Sequence, residues 1–156
     1  MPCFKNAQEI NEISLLDRAF HYGDGCFSTA RVRHGKIELE HLHMARLHLS
    51  CERLLLKADL SLIRKSLGLL RQQFLEVNGT LKIIISRGEG QRGYSLPDHP
   101  ADVWVFFYPK VVDDFQIEKI KSGVLQQALG LTMPSLVGLK SLNRLEQVLL
   151  KNEADQ

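Results

Sequence analysis

Lys140 stands between a Gly-Leu step and an amphipathic run in GLKSLNRLEQVL, a junction where backbone and side chain can both face a cavity. An amine held there, desolvated or crowded by other cations, loses basicity and becomes able to form a Schiff base. Position alone favours the plainer reading, because most lysines are solvated surface charges.

Other residues have types and spacings that suit anions. Arg46, in HMARLHL, is offset from the apolar stripe marked by Met44. It could reach inward and fork onto a phosphate, or simply snorkel along the surface. The stretch SRGEGQRGY sets Arg87, Arg92 and Tyr94 among three glycines. Two guanidinium groups on such a loop suit a substrate that carries carboxylates, the alternative being a solvated loop. In LLDRAFHYGDGCFSTARV, Gly23 and Gly25 bracket Asp24 beside aromatic residues, which reads as a tight turn permitting close backbone approach. The six histidines include no i, i+4 pair with a carboxylate, so no metal is assigned.

These residues need elements to hold them. Apolar residues at Met44, Leu47, Cys51 and Leu54, and again at Leu60, Ile63, Leu67, Leu70 and Phe74, recur at helical steps. Two amphipathic helices are expected, with Asp59 or Ser61 capping the second. CFSTARVRHGKIELE alternates and turns at His34-Gly35, as a hairpin arm would. Asn78-Gly79 closes the helical zone and opens TLKIIISRG, a β-branched run suited to a buried strand. After the glycine-rich loop, DVWVFFYPK reads as that strand's neighbour in one sheet. IEKIKSGVLQQALG could add one or two strands, and a last helix is expected from about Leu142 to Asn152. Its inner face would carry Leu142, Leu145, Val148 and Leu149.

The 156 residues suit an ordinary globular core, and 44% hydrophobic with 24% charged residues is close to soluble averages. No apolar run approaches the ~20 residues of a membrane helix, and MPCFKNAQEINEI does not resemble a secretory signal, so a cytoplasmic protein is expected. Cys3, Cys26 and Cys51 form no C-x-x-C and read as reduced, partly buried thiols. With a net charge of +2 and basic residues mixed among acidic ones, nothing argues for nucleic acid.

DRAFHYGDGCFSTARV, HMARL, SRGEGQRGY and GLKSLNRLEQVL, in this order and spacing, resemble the aminodeoxychorismate lyases among the fold-type IV pyridoxal-phosphate (PLP) enzymes. The G-D-G and lysine segments resemble that superfamily as a whole. The arginine loop and L-N-R-L-E-Q-V resemble the lyases in particular. The resemblance implies an α+β, two-layer α/β fold: residues 1–110 an N-terminal subdomain of the D-amino acid aminotransferase-like fold, residues 111–156 the start of a C-terminal cofactor-binding subdomain. It implies that Lys140 forms the Schiff base with PLP and that Arg46 grips the phosphate. Ser28, Thr29 and Arg31 match positions on a strand facing cofactor and substrate, and Arg87, Arg92 and Tyr94 are the substrate-binding candidates. The implied reaction converts 4-amino-4-deoxychorismate to 4-aminobenzoate and pyruvate in folate biosynthesis, in a homodimer.

Members of that family continue well beyond the position matching Gln156, through a ring-nitrogen carboxylate and a phosphate cradle; Glu153 and Asp155 are poor substitutes. The expectation is therefore that this polypeptide alone binds PLP weakly and shows little lyase activity. A fold-type IV aminotransferase, acting on D-amino or branched-chain amino acids, is the first alternative. A noncatalytic dimerisation or binding fragment is the second.

Overall fold

Side chains on neighbouring strand residues point to opposite faces, and in this six-stranded antiparallel sheet that alternation decides which strand residues join the core under the helices. The computed structural model describes residues 1–111, 119, 122–124 and 134–155. The strands are β1 (Cys3–Lys5), β2 (Gln8–Glu9), β3 (Gly25–Arg33), β4 (Lys36–Ile37), β5 (Gly79–Ser86) and β6 (Asp102–Pro109), in the order β2-β1-β6-β5-β3-β4. The helices are α1 (Arg18–Tyr22), α2 (Glu40–Arg53), α3 (Ser61–Gln73) and α4 (Leu145–Ala154).

One face of the sheet carries Ala30 and Val32 of β3, Leu81, Ile83 and Ile85 of β5, and Val103, Val105 and Phe107 of β6. Helices α2 and α3 cover it with Leu47 and Cys51, and with Ile63, Leu67 and Leu70. Each large side chain buried there contributes roughly 1.5–3 kcal/mol. The two helices expected from the apolar spacing are present; the N-cap of α3 is Leu60, and Asp59, one residue before it, accepts the backbone N–H of Ser61 at 3.0 Å.

The strand signals also hold. β5 pairs with β6 from Gly79↔Pro109 to Ser86↔Asp102, and β3 turns into β4 through His34 and Gly35, both at positive φ. The β-branched run is buried on one side only: Leu81, Ile83 and Ile85 are inside, while Lys82 and Ile84 are half-buried on the opposite face. The short strands β1 and β2 and the one-turn helix α1 were not expected. The G-D-G turn joins α1 to β3.

The last helix differs from expectation. It begins at Leu145, because Leu142 is drawn into an extended pairing, its N–H bonded to Gly25 O at 3.0 Å. Leu145, Val148 and Leu149 are exposed, so among the described residues no inner face forms on that helix. The strands expected within IEKIKSGVLQQALG fall on residues of which most lie outside the described ones. Among the described residues no helix is long and apolar enough to cross a membrane. Cys3, Cys26 and Cys51 are free thiols, the last two buried.

Candidate active site

Strand β3 is longer than its neighbour on one side. β4 pairs only with Val32 and Arg33, which leaves the edge of β3 open near Gly25. The lysine segment fills it. Phe27 N–H bonds Lys140 O at 2.9 Å, Leu142 N–H bonds Gly25 O at 3.0 Å, and Cys26 bridges Ser141. Close approach requires glycine here, since a Cβ on Gly25 would lie 2.2 Å from Ile85 O and 2.9 Å from Leu142 Cδ1. Gly23, at φ +62°, ends α1 and accepts Asn143 Nδ2 at 3.2 Å. The G-D-G motif is thus the seat of the lysine segment.

Further tethers come from α2 and from the segment itself. Arg53 donates to Val137 O at 2.8 Å and Ser135 O at 2.9 Å, holding the turn that leads to Gly138. Arg144 donates to Ser141 O at 3.0 Å and Leu139 O at 3.3 Å. The Lys140 amine lies 4.9 Å from the centre of the Phe27 ring.

Arg46 projects from α2 toward the same place. It donates to Ser28 Oγ at 2.5 Å, and its Nη2 lies 3.1 Å from His43 Nδ1. A guanidinium only donates, so Ser28 Oγ accepts from Arg46, and the Arg46 Nη2 facing His43 Nδ1 makes that nitrogen an acceptor, which leaves Ser28 to give its own proton to it across 2.8 Å. Arg46 Nε is buried with no hydrogen-bond partner among the described residues.

Phe27, Arg46, Leu139, Lys140, Arg144 and Lys151 line a cavity of about 750 Å³. Four of these side chains are cationic, and no described lining residue is acidic. Burial, then the Arg46 charge, then the Arg144 charge hold the Lys140 amine below the ordinary lysine pKa. Burial, Arg46 and Lys140 likewise push His43 below the ordinary histidine value, favouring the neutral ring that the Ser28 hydrogen bond needs. The cavity suits a dianion beside an amine less basic than an ordinary lysine.

The other sequence candidates divide. Ser28 is fully buried on the helix-facing side, where it positions Arg46 and His43. Thr29 and Arg31 are exposed on the opposite face, which they share with Phe27, so their side chains point away from that of Ser28. Arg87 is buried away from the cavity. Its Nε bonds Asp24 at 2.8 Å, and its terminal nitrogens bond Leu55 O at 3.0 Å and Leu54 O at 2.6 Å, closing the end of α2. With each guanidinium nitrogen holding a protein acceptor, Arg87 has a structural place instead of the substrate contact expected of it. Arg92 and Tyr94 are exposed, with Tyr94 5.7 Å from the Tyr22 ring, and neither lines the cavity. Arg18 anchors their loop, bonding Asp24 at 2.9 Å and Gly93 O at 2.9 Å.

His43, Arg53 and Arg144 escaped the sequence reading. Only His43 carried a usable signal, since it precedes Arg46 by three residues on one helix and so shares its face. Among the described residues no group of three or more His, Cys, Asp or Glu is placed to hold a metal ion.

A family model of class IV aminotransferases matches residues 25–156. An aminodeoxychorismate lyase of Vibrio harveyi is 34% identical over 146 residues, covering 92% of this chain and 53% of that protein. The crystal structure of 4-amino-4-deoxychorismate lyase from Pseudomonas aeruginosa superposes with a TM-score of 0.75 at 30% identity, covering 97% of this chain and 56% of the other. A hypothetical aminotransferase from Mycobacterium tuberculosis, in its PLP-bound form, has a TM-score of 0.56 at 25% identity over 70% of this chain and 39% of its own. The chain spans about half the length of the relatives it matches.

Proposed function

The chain belongs to the class IV aminotransferase family, and from that premise we propose that it supplies the lysine and phosphate-binding part of a PLP-dependent 4-amino-4-deoxychorismate lyase. The observation that carries this reading is the pairing, in one cationic cavity, of a Lys140 amine of lowered pKa with an Arg46 whose buried Nε lacks a partner among the described residues. The likeness to the two lyases supports the choice of reaction.

The residues present fit PLP. Arg46, held by Ser28, would take the phosphate, whose oxygens would satisfy the orphaned Nε. Lys140 would hold the cofactor through its aldehyde carbon. When bound, PLP supplies an electron sink for the carbon that bears the substrate amine.

The chain's own residues then handle position and protons. Once the substrate amine has taken its place on the aldehyde carbon, the freed Lys140 amine would take the proton from C4 of 4-amino-4-deoxychorismate. As the ring becomes aromatic, the bond between ring carbon C3 and the enolpyruvyl oxygen breaks, the oxygen leaves with its electron pair as enolpyruvate, and Lys140 would return that proton to the methylene carbon of the departing group. The products are 4-aminobenzoate, a folate precursor, and pyruvate. Phe27 closes one side of the amine, and the exposed Arg92 and Tyr94 remain candidates for a substrate carboxylate on the loop that Arg18 anchors. A cytoplasmic homodimer belongs to the same proposal.

The test is chemical capture. The protein is mixed with PLP, reduced with borohydride and digested, and the modified peptide is located by mass spectrometry. Modification concentrated on Lys140 and lost in Lys140→Ala supports the reading; even labelling of all lysines sinks it. In a full-length relative, formation of 4-aminobenzoate, set against amine transfer from D-alanine or a branched-chain amino acid to a keto acid, separates lyase from aminotransferase.

A further inference from the structure

Arg144 does more than add charge to the cavity wall. It reaches back along its own segment to the carbonyls of Leu139 and Ser141, which flank Lys140 in the chain. The carbonyl of Lys140 itself is taken by Phe27 N–H. Three consecutive carbonyls around the reactive lysine are therefore tied down, two of them by one guanidinium. That guanidinium also lies 5.3 Å from the centre of the Phe27 ring, the ring that the Lys140 amine meets at 4.9 Å. Lys82 meets the same ring at 5.6 Å, so three cations share it; of these, Arg144 is the one that also depresses the Lys140 amine.

We propose that Arg144 is the positioning residue of Lys140, clamping the two carbonyls that bracket it while keeping a fixed second cation beside its amine on Phe27. Loss of the clamp frees the backbone that aims the lysine. Loss of the charge favours protonation of Lys140, consistent with the place of Arg144 among the causes that lower its pKa. A lysine at this position would keep the charge, but its single nitrogen would have to span two carbonyls and a ring contact that the planar guanidinium meets at once. The inference rests on the reading of Lys140 as the reactive amine, yet it concerns the protein before any cofactor arrives.

The test is trace labelling of the 156-residue chain with acetic anhydride across pH, each lysine being quantified by mass spectrometry and exposed Lys36 serving as reference. In Arg144→Gln the midpoint of Lys140 labelling is expected to move to higher pH, and its reactivity at pH 8 to fall by roughly threefold relative to Lys36. In Arg144→Lys the midpoint is expected to stay near that of the parent. Hydrogen exchange at the Phe27 and Leu142 amides, which bond the lysine segment, is expected to speed up in both variants. An unchanged Lys140 profile in Arg144→Gln, or equal midpoint shifts in the two variants, overturns the electrostatic half. Unchanged amide exchange in both overturns the clamp. Because PLP is absent throughout, these outcomes are independent of borohydride capture, so failure of the inference is distinguishable from failure of the proposed function.

Discussion

Phe27 gives its backbone N–H to the carbonyl of Lys140 and its ring to the amine of the same residue, at 2.9 and 4.9 Å. One residue on the open edge of a strand thereby sets both where the lysine's backbone runs and what its side chain lies against. The contact depends on Gly25, two residues earlier, where β5 and the lysine segment both press close. Gly25→Ala would drive a methyl group into Ile85 O and Leu142, and both neighbours would have to move. The expected cost is about 2–4 kcal/mol, read as a lowered urea midpoint, with PLP capture at Lys140 reduced in whatever fraction remains folded.

Arg87 and Arg92 are five residues apart on one loop, and their replacement should have opposite signatures. Arg87→Ala leaves the carbonyls of Leu54 and Leu55 without their donor and leaves Asp24 with Arg18 alone. A loss of about 2–4 kcal/mol in urea unfolding is expected, as for other broken buried networks. Arg92→Ala touches no described contact and should stay within about 0.5 kcal/mol of the parent. Equal stability losses would mean that the burial difference between them does not matter.

How much of this was legible beforehand follows from how far each signal reaches. The spacing of Leu47 to Leu54 and Ile63 to Phe74 is local, and so is the alternation of β3; α2, α3 and the long strands could be read directly. β1 and β2, at three and two residues, are too short for any period to show. The different fates of Arg87 and Arg92 were not readable, because the carbonyls that claim Arg87 lie more than thirty residues upstream, at the end of α2. The start of α4 was misread for a similar reason: Leu142 belongs to a helical pattern in sequence but to an edge pairing with Gly25 in space. Ser28, Thr29 and Arg31 were grouped by likeness alone, although the period of two already forbids Ser28 from sharing a face with the others. Lys140 and Arg46 were legible as a pair through the motifs. The surroundings that lower the amine's basicity became visible only with the fold.

His43 supplies a pH dependence whose sign can be worked out. Its folded-state pKa lies below the ordinary value of 6.5, so in the window beneath that value the unfolded chain binds more protons than the folded one. Its contribution to stability is therefore full above about pH 6.5 and is lost as pH falls toward the lowered folded-state pKa. His99, raised by hydrogen bonds to Pro100 and Glu89, works in the other direction. Imidazole proton resonances should show His43 titrating below His99. His43→Gln should flatten the fall in stability on acidification relative to the parent. If His43 titrates above His99, the arrangement of Ser28, Arg46 and His43 is not as described.

Arg46 should matter to Lys140 even when no phosphate is present. Of the two cations that depress the lysine, Arg46 has the larger effect, ahead of Arg144 and behind burial itself. Replacing it with methionine keeps most of the length of the stem, removes the charge and releases Ser28 and His43 from their shared hydrogen bonds. In acetic anhydride labelling across pH, the midpoint of Lys140 should therefore rise further in Arg46→Met than in Arg144→Gln, and further still when both are changed. Binding of PLP should weaken by at least about tenfold in Arg46→Met, since the charge-assisted phosphate contact of the guanidinium is lost. The two readouts separate the two roles. A labelling midpoint that rises while PLP affinity holds would assign Arg46 to the electrostatics of the lysine and leave the phosphate to other residues. Weakened binding with an unmoved midpoint would make Arg46 a phosphate ligand only, and leave burial and Arg144 as the reasons the amine is less basic.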